Sequence, residues 1–481
     1  METTATGSLT TTHARAPVHE TISGPRGTMV TVGLGEMLIQ LGFAPLTAVV
    51  PSVAAAIGVS ALDGAWLITV YILALAGTLL VAGRLGDLLG HRRMFGLGAL
   101  VFAGASGLAG IAPTFETLLA ARVAQGVGGA MISGNNLAIL ARAVPVEQRG
   151  RAIAIVATAS SLSAMIGAVV GTLAVELGGW QLLFFGPVPL AIVAAIRARR
   201  LPGSERSGVS VDWAGAGLLV LTMTVLAFAL NHPHTTTTEV VMPVFHVWLP
   251  LLAIVLGTAF VLVERRIRVP LLDWRQLRNT QFGAAIGLNA ILHLTMMASM
   301  FLGPLLVVQG LGYGVVAGGT LMVVVQASVT ATAFLGGWLY DRTRSPWLRP
   351  GSAAILTLGL LAWAMAGLQG SFFGLIAAGA ISGLGSGILL TTNNTVIMGS
   401  LPAGSRGVAS GLLETTRHFG HAFGVTIPTA ILAIVTVTLA TSQAGGGEVG
   451  VLAIRYGFAW ACLAMAFLGA AGVGLAVWRR G

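Results

Sequence analysis

Fourteen runs of mostly apolar residues follow one another along the chain, separated by short polar loops. A helix needs roughly 20 residues to cross a hydrocarbon core, and the runs match that length or, in the last three, exceed it. The runs lie near 29–50, 62–82, 94–112, 117–140, 150–175, 181–197, 213–231, 246–264, 281–303, 315–338, 351–368, 371–398, 407–440 and 455–478. Helices that are apolar all round have no face to turn to water, so such a chain belongs in a bilayer. Only 9% of the 481 residues are charged, against about 25% in soluble proteins. That excludes a soluble enzyme and a nucleic-acid module, and it predicts an all-α polytopic membrane protein with fourteen transmembrane helices.

The arginines set the expected orientation. The chain has no lysine, so all 26 basic residues are arginine, and retained arginines mark cytoplasmic loops. Twenty-three of them fall in every second loop or in the tails, leaving Arg122 and Arg417 inside spans and Arg455 on the opposite side. Both termini are therefore expected to be cytoplasmic. Residues 1–27 are polar and Thr-rich and lack the apolar core of a signal peptide. They are expected to form a disordered tail, with the first span an uncleaved anchor. The single Cys462 excludes intrachain disulfides and thiolate metal sites.

An internal repeat divides the chain. Val144-Pro-Val-Glu-Gln-Arg-Gly-Arg-Ala152 recurs 257 residues later as Leu401-Pro-Ala-Gly-Ser-Arg-Gly-Val-Ala409. Gly126-Val-Gly-Gly-Ala with Asn135 and Asn136 parallels Gly383-Leu-Gly-Ser-Gly with Asn393 and Asn394, and Gly83-Arg-Leu-Gly-Asp87 parallels Gly337-Trp-Leu-Tyr-Asp341. The expected domains are an N-terminal six-helix bundle at 28–200, a linker carrying two additional helices at 201–280, and a C-terminal six-helix bundle with a short tail at 281–481. Two parallel repeats suit alternating access, in which the halves rock about a site between them.

Five stretches carry a family resemblance. Gly83-Arg-Leu-Gly-Asp-Leu-Leu-Gly-His-Arg-Arg93 resembles the major facilitator superfamily's motif after the second helix, and Arg122-Val-Ala-Gln-Gly-Val-Gly-Gly-Ala130 its fourth-helix motif. Asp212-Trp-Ala-Gly-Ala, the run from Glu264 to Asp273, and the run from Gly407 to Gly424 resemble its fourteen-helix drug:proton antiporter branch. The resemblance implies the major facilitator fold and proton-coupled efflux of a small amphipathic molecule or drug. Two departures stand out. Gly42 takes the place of the branch's usual Asp nine residues before Pro51, with Thr47 where Asn is common, and the span 5 motif Gly-Pro-x-x-Gly-Gly reads Gly167-Ala-Val-Val-Gly-Thr172.

The candidate site residues are the polar ones inside spans. Arg122 sits where a charge costs about 2.5–3.5 kcal/mol and needs a partner or a wet cavity; by resemblance it faces the cavity and tunes a proton site beside Gln125, the alternative being snorkelling to the interface. Glu36, flanked by Gly33, Gly35 and Gln40, is the only carboxylate of span 1 and a candidate proton site that replaces the missing Asp. Glu414, Arg417, His418 and His421 recur at i, i+3, i+4 and i+7, one helical stripe that reads as a buried ionic cluster with pH sensitivity. Asn289, His293 and Gln326 can line the same cavity or make ordinary interhelical hydrogen bonds. Met296, Met297 and Met300 offer an adaptable apolar wall or face lipid. Gly83, Arg84, Asp87, Gly90, Arg92, Arg93, Asp341 and Arg342 are the expected conformational latch, with Asp87 a helix cap and the arginines bound to neighbouring helix ends.

Without lysine no Walker loop exists, so a proton gradient is the expected driving force. No cofactor, metal or catalytic residue is expected; the partners are a small molecule, protons and the lipid bilayer, with no nucleic acid, and the protein is expected to be a monomer in the plasma membrane. Uptake or facilitated transport of a metabolite, and a transport-dead sensor, are the alternatives. A membrane enzyme lacks its serine elbow or metal motif.

Overall fold

The structure is a computed structural model that describes residues 24–145, 149–177, 179–203, 212–230, 248–267, 276–401, 406–442 and 448–478. Most of the expected N-terminal tail, Arg15, Arg206, Arg268, Arg275, Arg479, Arg480 and much of the motif ending at Asp273 lie outside these residues. Among the described residues the chain is all helix, with no strand. The first part contains α1 (Pro25–Leu41), α2 (Ala44–Ile57), α3 (Ala61–Gly64), α4 (Trp66–Leu89), α5 (His91–Gly110), α6 (Phe115–Ala143), α7 (Arg149–Leu177), α8 (Leu182–Phe185) and α9 (Pro187–Ala198). Two helices, α10 (Trp213–Leu230) and α11 (Leu249–Glu264), follow. The rest is α12 (Thr280–Leu305), α13 (Val315–Thr343), α14 (Leu348–Gln369), α15 (Phe372–Gly399), α16 (Arg406–Ser442) and α17 (Glu448–Trp478).

Among the described residues, nine helices are long and apolar enough to cross a membrane, counting α1 and α2 as one 33-residue unit. Four shorter apolar helices lie at Leu162–Leu177, Leu182–Ala198, Trp213–Leu226 and Leu249–Glu264. The 29-residue α6 is in neither group; Arg122, Gln125, Asn135 and Asn136 make it the most polar of the long helices, and all four are buried.

The first apolar run is broken. Gly42 and Phe43 separate α1 from α2, and Pro45, in the first turn of α2, has no N–H to continue the ladder. Helix packing sorts the remainder into two groups. Helices α1, α2 and α4–α9 pack among themselves, and α12–α17 do likewise, while α10 and α11 pair with each other and α10 leans on α4. The repeat is visible in the packing. A Cβ at Gly126 of α6 would stand 2.3 Å from the Tyr71 carbonyl of α4, and one at Gly383, 257 positions on, would stand 2.9 Å from the Val325 carbonyl of α13. Each glycine lets two backbones touch where no other residue fits.

The groups meet through α2 and α7 against α12 and α13, and through α4 against α16. Near the ends of α7 and α13 remote from the arginine loops, a Cβ at Gly319 would lie 2.5 Å from Thr172 Cγ2. Thr172, which replaces the last glycine of the span 5 motif, thus fits into a space left by a glycine of the other group. The two remaining glycines of that motif keep α7 on the start of α2, with Gly167 and Gly171 both against Pro45.

Candidate functional site

Where the two helix groups face each other, α1 brings Glu36 and α16 brings Glu414 and Arg417. Arg417 Nη2 lies 2.8 Å from Glu36 Oε1 and 2.6 Å from Glu414 Oε2, so one guanidinium holds two carboxylates, one from each group. Glu36 also accepts from Asn136 Nδ2 of α6 at 3.3 Å and from Ser160 Oγ of α7 at 3.5 Å. The side chain of Glu36 is 5% exposed, that of Arg417 16% and that of Glu414 21%, so access rises toward the N-terminal end of α16. Charges this deep persist because each has an opposite partner, and Glu36 accepts hydrogen bonds on both carboxylate oxygens besides.

The stripe continues along α16. His418 Nε2 is 3.9 Å from Glu414 Oε2, and one turn further His421 Nε2 is 3.2 Å from His293 Nδ1 of α12. Phe43, at the break between α1 and α2, lies against His421 with ring centroids 5.6 Å apart. His293 Nε2, His418 Nε2 and His421 Nδ1 are buried without a hydrogen-bond partner among the described residues. Among those residues no group of three or more His, Cys, Asp and Glu is arranged to hold a metal ion.

Arg122 forms a second node on the N-terminal side. It is fully buried. Its Nε donates to the Leu67 carbonyl at 2.7 Å, and its Nη1 to the Gly42 carbonyl at 2.6 Å and to Gln125 Oε1. Gln125 passes the chain on to Ser106 Oγ at 2.6 Å. The guanidinium lies over the Tyr71 ring, 4.3 Å from its centroid, and Tyr71 Oη donates to the Ile39 carbonyl at 2.9 Å. The break in the first span frees carbonyls, and Arg122 and Tyr71 take them up. Arg122 Nη2 alone is left without a partner among the described residues.

This geometry explains Gly42. A Cβ there would stand 2.5 Å from Tyr71 Oη, so the Tyr71 phenol fills the space an aspartate would need, and Arg122 binds the backbone carbonyl instead. Glu36 belongs to the Arg417 cluster. Gln40, one turn beyond Glu36, is half-buried. Thr47 donates back to the Ala44 carbonyl at 2.7 Å.

Other expected residues lie elsewhere. Asn289 donates to the Leu413 carbonyl at 3.0 Å and to Thr416 Oγ1 at 2.9 Å, fastening α12 to α16. Gln326 lines a small internal space inside the C-terminal group with Met296, Met300, Ser299, Ser382 and Ser386, while Met297 is buried in the core. Four residues that the sequence did not single out bring side chains to the two nodes: Ser160, Phe43, Tyr71 and Ser106. The repeat held a signal for the first, since its offset of 257 carries Ser160 onto Arg417 and Glu36 onto His293.

The loop cluster closes around Gly90, whose φ of 101° no side chain favours. Asp87 Oδ1 lies 3.3 Å from His91 Nε2 and Asp87 Oδ2 3.7 Å from Arg84 Nη1. His91 Nδ1 reaches Asn135 Oδ1 of α6 at 2.7 Å, and Asn135 Nδ2 donates to the Ala82 carbonyl at 3.2 Å. Arg92 Nη1 donates to the Arg199 carbonyl at the end of α9, 3.4 Å away. Gly83 packs its backbone against the Gly134 carbonyl of α6, and Arg93 is exposed. In the second half Asp341 and Arg342 are exposed, with Arg342 over the Trp338 ring. Among the described contacts of this cluster, all those of the first loop stay within the N-terminal group.

Comparison with known proteins places this architecture. The family model for the Major Facilitator Superfamily matches residues 32–425. The chain belongs to that superfamily. Members that it resembles include the riboflavin transporter RibZ of Clostridioides difficile (strain 630), 25% identical over 82% of this chain and 86% of the relative. Another is the multidrug resistance protein Stp of Mycobacterium tuberculosis (strain CDC 1551 / Oshkosh), 28% identical over 84% of this chain and 75% of the relative. Among solved structures, an inward-facing, unoccupied bacterial homologue of the human lysosomal transporter Spinster superposes with a TM-score of 0.64, at 14% identity, over 94% of this chain and 96% of that one. The fold is that of the superfamily, and the protein is a multi-pass membrane transporter of small molecules with no enzymatic role.

Proposed function

We propose that the protein exports a small amphipathic molecule in exchange for protons, by alternating access between six-helix halves at 28–200 and 281–481, joined through 201–280. The observation that carries this reading is the Glu36–Arg417–Glu414 cluster, in which one cation is shared by carboxylates from both helix groups. Protonation of Glu36 removes the attraction to Arg417 that ties the groups together, and protonation of Glu414 frees Arg417 from its competing partner on the same helix, so proton binding is coupled to the separation of the groups. The relative named as a multidrug resistance protein supports export. In this reading fourteen helices cross the plasma membrane, the arginine loops and both termini are cytoplasmic, and a monomer suffices.

The test is proton movement on substrate addition, in proteoliposomes carrying an internal pH dye, with a panel of amphipathic cations, neutral antibiotics and organic acids. Substrate-triggered proton flux that disappears in Glu36→Gln or Glu414→Gln is the expected result. Equal substrate movement without proton flux in the wild type and both variants overturns antiport. That outcome favours the second reading, facilitated carriage or uptake of a metabolite, to which the relative named as a riboflavin transporter lends support.

A further inference from the structure

On the outer face of the N-terminal group, α5 and α9 run side by side and leave a groove of about 430 Å³ at the arginine-bearing end. Small residues form its floor. Gly96 brings the helices so close that a Cβ there would stand 3.3 Å from the Ala198 Cβ. The walls are apolar and outward-facing, with Leu100 54% and Ile196 57% exposed, which is the surface a hydrocarbon chain covers.

The mouth is different. Arg92, Arg93 and Arg199 line it, and no carboxylate does. The neighbouring Arg197 turns away, donating to Thr31 Oγ1 at 3.1 Å and to the Gly27 carbonyl at 3.3 Å on α1. Of these four arginines, one ties α9 to α1 and three gather at the groove. The 20-residue α5 begins at His91, so the positive end of its dipole points into the same mouth. From Arg93 to Leu100 is seven residues, about 10 Å along the helix axis, enough to place a phosphate at one end and acyl carbons at the other.

We propose that this groove holds one anionic phospholipid, its phosphate among the three guanidinium groups and an acyl chain along Gly96, Leu100 and Ile196. None of these residues belongs to the Glu36–Arg417 cluster, so the inference stands independently of the proton-coupling reading, although Arg92 and Arg93 also belong to the loop cluster. A free phosphate would use the arginines alone and has no use for the apolar walls.

Native mass spectrometry of the purified full-length protein tests it, with phosphatidylglycerol and phosphatidylcholine of identical acyl chains as probes and glycerol 3-phosphate as the headgroup control. Wild type should take up one phosphatidylglycerol in clear preference to phosphatidylcholine. Arg93→Gln with Arg199→Gln should weaken phosphatidylglycerol binding by ~30-fold, and Arg199→Gln alone by ~5-fold, from the usual worth of an interfacial arginine near anionic lipid. Ala195→Phe, which fills the groove and leaves every charge in place, should also lose the lipid. Equal affinity for the two lipids, or unchanged phosphatidylglycerol binding in the arginine variants, overturns the proposal. So does glycerol 3-phosphate binding as tightly as the lipid while Ala195→Phe has no effect, the signature of a free-phosphate site.

Discussion

Removing Arg417 should cost far more than neutralising either carboxylate that it holds. Two unit charges about 4 Å apart attract by about 4 kcal/mol at an effective dielectric of 20. Glu36 and Glu414 both touch the same guanidinium nitrogen, at 2.8 and 2.6 Å, so their oxygens lie no more than about 5 Å apart and repel by about 3 kcal/mol or more on the same scale. Glu36→Gln gives up the attraction but also relieves the repulsion, a net loss of about 1 kcal/mol. Asn136 and Ser160 can still donate to the amide oxygen. Arg417→Met forfeits both attractions and leaves two carboxylates opposed, in the range of about 3–5 kcal/mol for breaking a buried pair. Cys462 is the only cysteine and is buried, so a dye that fluoresces on reaction with a thiol reports melting directly. Expected drops in melting temperature are about 1–2 °C for Glu36→Gln and about 5–10 °C for Arg417→Met. The double variant should be more stable than Arg417→Met alone, because it removes the repulsion. A Glu36→Gln drop as large as that of Arg417→Met, or a double variant no better than Arg417→Met, refutes the shared-cation account.

Three further outcomes follow from close contacts. Gly319→Val should abolish substrate transport in proteoliposomes, since its Cβ would meet Thr172 Cγ2 at 2.5 Å, and Thr172→Gly should restore it by returning the space; failure of the rescue would show that the two do not oppose each other during the cycle. Gly86→Ala should lower stability in the thiol-dye melt by about 1–3 kcal/mol, because its Cβ would displace the Asn135 amide from its hydrogen bond with His91. Restoring the family's carboxylate with Gly42→Asp should destabilise the protein in the same assay, the Tyr71 phenol occupying that space, and Tyr71→Ala should relieve much of the loss; a stable Gly42→Asp single variant would contradict the assignment.

What the sequence determined is what depends on composition and spacing along one helix. Runs of apolar residues dictate helices in a bilayer, because backbone polar groups have no other partner there. The i, i+3, i+4, i+7 spacing put Glu414, Arg417, His418 and His421 on one stripe before any neighbour was known, and the repeat tied each half to the other. The pairing of Glu36 with Arg417 was not readable, because 381 residues separate the two and only the tertiary packing, with α16 set against α4 and α6 of the first group, brings them together. For the same reason Arg122 was legible as a buried charge beside Gln125 but not as the group that caps a broken helix: its other partners, at Gly42 and Leu67, are backbone carbonyls, which leave no mark in the sequence. Gly42 shows the limit most plainly. A missing carboxylate invited a search for a substitute nearby on α1, whereas the tertiary structure filled the gap with Tyr71 from α4 and gave Glu36 a partner on α16, since volume and charge are balanced in space and not along the chain.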